Sequence, residues 1–200
     1  MLGRAQLSCW YPPLAGAWRQ DPAQGGGGSL IDMGGHCLDL LEMFFGAAQQ
    51  VHCFCRSNVH GYASEDSAVA TVLFENGALG VVDTFFCIPD ASSQNRLELY
   101  GSQGSILARG TIGQGDRGEM TAYLEEQVSG YDAQQARAAG GGLAISPEPV
   151  NMYRAEIEEF SQALLDGREP ATPGRIGLQS QRLLTACYES ARTGRAVRLA

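Results

Sequence analysis

From Ser29 to Phe45 the apolar residues keep a helical spacing. Met33, Cys37, Leu40, Leu41 and Phe44 recur at i, i+4, i+7, i+8 and i+11, which predicts an amphipathic helix that stops at Gly46. Upstream, residues 1–11 read as a strand running into the Pro12-Pro13 break, and residues 14–28 as a loop closing on four glycines, a run that reads as a flexible hinge. Downstream the period shortens. Strand-like runs cover 49–59, 66–75, 78–88, 95–101, 104–109 and 119–128. Asn76-Gly77 marks a hairpin turn, because this pair tolerates positive φ, and short turns between successive strands imply antiparallel pairing. Residues 129–149, rich in Gly, Ala and Pro, read as a loop. The helical period then returns twice. Tyr153, Ile157, Phe160 and Leu164 form one apolar stripe that ends at Gly167. A second helix over 174–193 turns Leu183, Leu184, Cys187 and Ala191 inward, and Gly194 stops it. One helix, a run of strands and two helices predict an α+β fold in a single domain spanning residues 1–200.

Composition narrows the function classes. A net charge of −8 argues against nucleic acid or anionic membranes as partners. No apolar run is long enough to span a bilayer, and Met1-Leu2-Gly3-Arg4-Ala5-Gln6-Leu7 lacks the apolar core of a signal peptide, so a cytoplasmic location is expected. The 14 basic residues are all Arg; the chain contains no Lys. The six cysteines are scattered through apolar segments and read as free thiols. His52-Cys53-Phe54-Cys55 resembles half a zinc site, but no second close pair completes it, so no metal is expected.

The candidate chemistry is carried by Asp32 and His36, which the helical period places one turn apart on one face, with Asp39 a further i+3 along it. A carboxylate beside an imidazole can transfer protons near neutral pH. Each residue also has an ordinary structural role open to it. Ser29-x-x-Asp32 has the form of a capping box, and His36 fits a core histidine with a satisfied ring. The glycines at 34 and 35 weaken a helix, so something must approach the backbone there: a ligand ring, or a tightly packed strand. Arg19, in Trp18-Arg19-Gln20-Asp21, suits either a substrate contact or a loop ion pair with Asp21. Gly113-x-Gly115-x-x-Gly118 matches the dinucleotide fingerprint only as letters. It precedes a strand rather than opening a helix, and no acid stands twenty residues on.

Taken together, Trp18-Arg19-x-Asp21, the Gly25–Gly28 run and Asp32-Met33-Gly34-Gly35-His36-Cys37-Leu38-Asp39 resemble the substrate domain of the glucose–fructose oxidoreductase and inositol dehydrogenase (Gfo/Idh/MocA) family. The stretch from Thr185 to Arg195 is similar to that family's closing helix. The resemblance implies an open, mainly antiparallel sheet with helices on one face and an oligomer interface on the other. It also implies NAD or NADP as cofactor and interconversion of a secondary alcohol and a ketone on a sugar or cyclitol-like substrate. Carried over residue by residue, His36 exchanges the proton, and Asp32 bonds the substrate and tunes the imidazole; Arg19, Trp18 and Asp39 are the expected substrate contacts, with support of the helix the other role open to Asp39. The family's N-terminal Rossmann domain and its catalytic lysine have no counterpart in this sequence. The expectation is therefore a truncated chain, inactive alone, whose cofactor is bound mainly by the missing domain. The alternative is a non-catalytic binding or oligomerisation module.

Overall fold

The computed structural model describes residues 1–125 and 141–199. Nine strands form one sheet in the order β8-β7-β6-β5-β1-β4-β3-β2-β9. They are β1 (Leu2–Ser8), β2 (Ala48–Arg56), β3 (Ser67–Phe74), β4 (Leu79–Phe85), β5 (Arg96–Gly101), β6 (Gly104–Arg109), β7 (Glu119–Leu124), β8 (Leu143–Ile145) and β9 (Val197–Arg198). All neighbours pair antiparallel except β1 and β4, which run parallel with Leu2 beside Leu79 and Ser8 beside Phe85. The expected open, mainly antiparallel sheet is present. Pairing over such a sequence distance, in the minority direction, leaves no turn signal to read.

The period-two alternation explains the two faces of the sheet. In β3, Ala68, Ala70, Val72 and Phe74 are buried against helices, while Val69, Thr71 and Leu73 face the other way. The turn from β3 to β4 follows the Asn-Gly reading: Gly77 sits at φ 81°, and Asn76 Oδ1 accepts from the Ala78 amide at 2.9 Å.

The helices are α1 (Pro22–Gly25), α2 (Gly35–Phe45), α3 (Met152–Leu165) and α4 (Gly174–Thr193). Helix α2 packs on β1 and β4, α4 on β2, and the two helices touch each other. Met33, Cys37, Leu38 and Leu41 join Leu183, Leu184 and Cys187 in the core. At the end of α2 the inward residue is Phe45, and Phe44 is exposed, one position off the expected stripe. Helix α4 matches its expected span and closes on Gly194 in the left-handed region, with the Gly194 amide bonded to Ser190 O at 2.8 Å.

Three details differ from the reading of the sequence. Residues 18–20 and 22–25 form two short helical turns inside the expected loop. The Gly-rich loop expected over 129–149 contains β8 at its end, and its residues 129–140 lie outside the described residues. The α3 stripe of Tyr153, Ile157, Phe160 and Leu164 is exposed throughout, and Ala163 is the one buried residue of that helix. Among the described residues no helix is long and apolar enough to cross a membrane.

Candidate active site

The site forms where β1 ends. Beyond Ser8 the chain stays close to the end of β4: the Cys9 amide donates to Phe85 O at 2.9 Å and the Tyr11 amide to Phe86 O at 2.8 Å. Trp10 is tied to Asp90 Oδ1 by its amide at 2.9 Å, and its ring meets the edge of the buried His60 ring, centroids 4.9 Å apart. His60 stacks in turn on Tyr62, and its Nε2 lies 3.0 Å from Phe86 O. The buried Asp66 carboxylate fixes this loop by accepting the amides of Asn58, Val59 and His60. Burial pushes the Asp66 carboxyl up, but these bonds and that of the Ser67 hydroxyl outweigh it and hold it below the usual range.

Arg19 reaches the site from the short turn Trp18–Gln20. Its Nε donates to Asp32 Oδ1 at 2.7 Å, and its guanidinium lies 4.2 Å from the centre of the Trp18 ring. The bond to Asp32, more than any other influence, raises the Arg19 pKa further. Of the two roles open to Arg19 in sequence, the loop pair with Asp21 is not formed. Asp21 instead caps α1, accepting from the Ala23 amide at 2.9 Å and from Gln24 Nε2 at 2.7 Å.

The capping box at Ser29 and Asp32 is not formed either. Ser29 is buried, with its hydroxyl donated to Thr84 O at 3.3 Å, and Asp32 turns outward to Arg19. Leu30–Gly34 is a single π-helical turn continuous with α2, a distortion that recurs at functional sites. Of the two glycines only Gly34 is crowded: a Cβ there would lie 2.7 Å from Leu30 Cδ1 of the preceding turn and at an ordinary 3.6 Å from Thr84 of β4, whereas Gly35 has room.

His36, on the first turn of α2, is exposed and makes no hydrogen bond to a described residue, so it is not a core histidine. Asp39 lies at the far end of the same stripe, where it accepts from Ser180 Oγ of α4 at 2.6 Å. The structure thus gathers Trp18, Arg19 and Asp32 by direct contact, sets His36 one turn beyond, and occupies Asp39 at a helix–helix contact. Neither nearby thiol suits a nucleophile. Burial pushes Cys37 up to about 12, and burial with Asp90 and Asp32 pushes Cys9 up to about 11.

Sequence reasoning passed over Ser64, Glu65 and Tyr188. Ser64 Oγ donates to Arg19 O at 2.8 Å, and Glu65 and Tyr188 bond each other at 2.8 Å beside the glycine run. Three polar residues in succession before a strand were the available signal.

The Gly113–Gly118 pattern belongs to the connection between β6 and β7 and opens no helix.

The family model described as "Oxidoreductase family, C-terminal alpha/beta domain" matches residues 4–199. The 1,5-anhydro-D-fructose reductase of Ensifer adhaerens is 23% identical over 192 residues, 95% of this chain and 53% of the relative. The D-xylose 1-dehydrogenase (NADP(+)) 2 of Haloferax volcanii is 25% identical over 176 residues, 86% of this chain and 48% of the relative. The crystal structure of aldose–aldose oxidoreductase from Caulobacter crescentus, complexed with glycerol, superposes with a TM-score of 0.82 at 24% identity, covering 99% of this chain and 55% of that one. The chain spans about half the length of the curated relatives it matches. It belongs to this oxidoreductase family and has the fold of its C-terminal domain.

Proposed function

We propose that this member of the family is the substrate-binding and catalytic half of an NAD(P)-dependent oxidoreductase that interconverts a secondary alcohol and a ketone on a sugar or cyclitol-like substrate. The observation that carries the reading is the Arg19–Asp32 pair at 2.7 Å, open to solvent, with an unpartnered imidazole one turn further along the same helical face. Asp32 keeps one oxygen bound to Arg19 and offers the other to a substrate hydroxyl. His36, free of protein partners among the described residues, takes the proton from the reacting hydroxyl or returns it to the carbonyl oxygen. Trp18, 49% exposed, presents a ring face against which the apolar side of a sugar ring packs. Asp39, engaged by Ser180, supports α2 from behind the site.

The names of the relatives support a sugar-like substrate and a nicotinamide cofactor. This reading gives the chain the proton-transfer half of the chemistry. The cofactor is held mainly by a separate domain, and the isolated chain turns over no substrate. The sheet face away from α2 and α4 carries Phe54, Val69, Leu79, Tyr100 and Leu107, each more than a third exposed, which supports a homo-oligomer through that face.

The direct test is titration of the 15N-labelled chain with D-xylose and with myo-inositol. Shifts confined to Trp18, Arg19, Asp32 and His36, and lost in Asp32→Asn, support the reading. Shifts absent at saturating polyol, or centred elsewhere, overturn it. Light scattering tests the assembly: a strict monomer at high concentration removes the sheet-face oligomer.

A further inference from the structure

We propose that Glu65 and Tyr188 are positioning residues for the Arg19–Asp32 pair, acting through the backbone of Gly28–Ile31. This rests on the reading of that pair as part of the catalytic site.

The first amides of a helix have no carbonyl partners within it and are ordinarily met by a cap side chain. Here Ser29 is turned inward and caps nothing. Glu65, placed just before β3, supplies the missing acceptor instead. Its Oε1 accepts from the Gly28 amide at 2.9 Å and from the Leu30 amide at 3.0 Å. Tyr188, from the middle of α4, accepts the Ile31 amide on its hydroxyl at 3.1 Å and donates to the same Glu65 oxygen at 2.8 Å. Burial, reinforced by Glu65, holds the Tyr188 phenol far above its ordinary range, so it keeps the proton it donates.

These bonds explain the glycine run. A Cβ on Gly27 would lie 2.0 Å from Tyr188 Oη, and one on Gly28 would lie 1.9 Å from Glu65 O. The backbone is pressed against the clamp, and the run is a close packing rather than a flexible hinge. Asp32 follows directly, its amide bonded to Gly28 O at 3.2 Å, so the carboxylate takes its place from the clamped segment.

The neighbour of Glu65 holds the other partner. Ser64 Oγ bonds Arg19 O at 2.8 Å, and the Ser64 amide donates to Gln20 O at 3.4 Å. Two consecutive residues therefore fix the backbones on both sides of the ion pair. Such support is needed, because a solvent-open pair gains too little from its own attraction to hold one geometry.

The test uses the 200-residue chain with Tyr188→Phe, Glu65→Gln and Glu65→Ala. It reads the Arg19 Nε–H resonance and amide hydrogen exchange well below each variant's melting temperature. In Tyr188→Phe and Glu65→Ala, the Nε–H signal moves toward its position in Asp32→Asn, and the Leu30 and Ile31 amides exchange ~10- to 100-fold faster, with β3 and β4 unchanged. Glu65→Gln keeps an acceptor oxygen and restores most of both signals. An Nε–H resonance that stays put in the folded variants, or exchange that accelerates evenly over the whole sheet, reduces the two residues to general stability and overturns the proposal. These signals report geometry without any sugar present, so their failure is separate from failure of the catalytic reading.

Discussion

Arg19 bonds Asp32 across thirteen residues at 2.7 Å, while Asp21, two residues from Arg19, turns to the amide of Ala23. Both members of the pair keep about a third of their side-chain surface in water, with values of 38% and 31%. Exposed pairs contribute at most about 1 kcal/mol to stability. Arg19→Gln and Asp32→Asn therefore leave the urea midpoint nearly unchanged while abolishing polyol-induced shifts at the site. A large loss of stability with polyol binding intact would make the pair a structural tie.

His36→Ala removes an exposed ring, so the fold is expected to change by less than about 0.5 kcal/mol. In an assembly of this chain with a cofactor-binding domain that shows turnover, the same substitution lowers kcat by ~10²–10⁴-fold. Rates within a factor of two of the parent would take His36 out of the chemistry.

Gly28→Ala and Gly61→Ala form a matched pair. The first drives a methyl to 1.9 Å from the Glu65 carbonyl oxygen, and the second meets nothing within 4 Å. Backbone cannot yield as a side-chain tip can, so Gly28→Ala is expected to cost about 3 kcal/mol or more. Gly61→Ala should fall within about 0.5 kcal/mol of the parent. Denaturant unfolding of both variants settles the comparison.

The reach of the sequence follows from the range of the forces involved. Local signals were legible: the α4 stripe from Leu183 to Cys187, its Gly194 stop, and the Asn76-Gly77 hairpin all appear where expected. Strands β8 and β9, three and two residues long, are too short to show a period, and the β1–β4 pairing is set across some seventy residues by the sheet as a whole. At the site, the spacing of Asp32 and His36 could be read, but their partners could not. Asp32 had a local partner in Ser29 by the capping rule, and tertiary structure overrode it, because the Ser29 hydroxyl is buried at Thr84 and Glu65 serves the free amides instead. The polar run Ser64-Glu65-Asp66 marks a place, but nothing local to it or to Tyr188 says that the group acts at Gly28–Ile31.

Asp83 gives the chain a pH signature. It lies on the sheet face away from the helices, bonded to Gln6 Nε2 at 2.5 Å. Burial raises its carboxyl above the ordinary range, with a smaller push from Glu98, against the lowering influence of Gln6 and Arg4. The folded form thus binds this proton more tightly than the unfolded chain does. Above the folded pKa the ionised group opposes folding; as pH falls through the folded pKa toward the unfolded one, that opposition is relieved. Asp83→Asn should therefore raise the melting temperature at pH 7, with the gain shrinking as the buffer is taken to pH 4. A gain that is independent of pH would assign the effect to packing.

Helix α3 leaves Tyr153, Ile157, Phe160 and Leu164 facing water, each more than half exposed. Such a stripe behaves in solution as an adhesive strip. It is expected to bind hydrophobic dyes and phenyl resins, and to lower the concentration at which the chain comes out of solution in sulfate, where exposed apolar surface is penalised most. The solution behaviour of the 200-residue chain thus depends in part on fourteen residues that lie outside the proposed site.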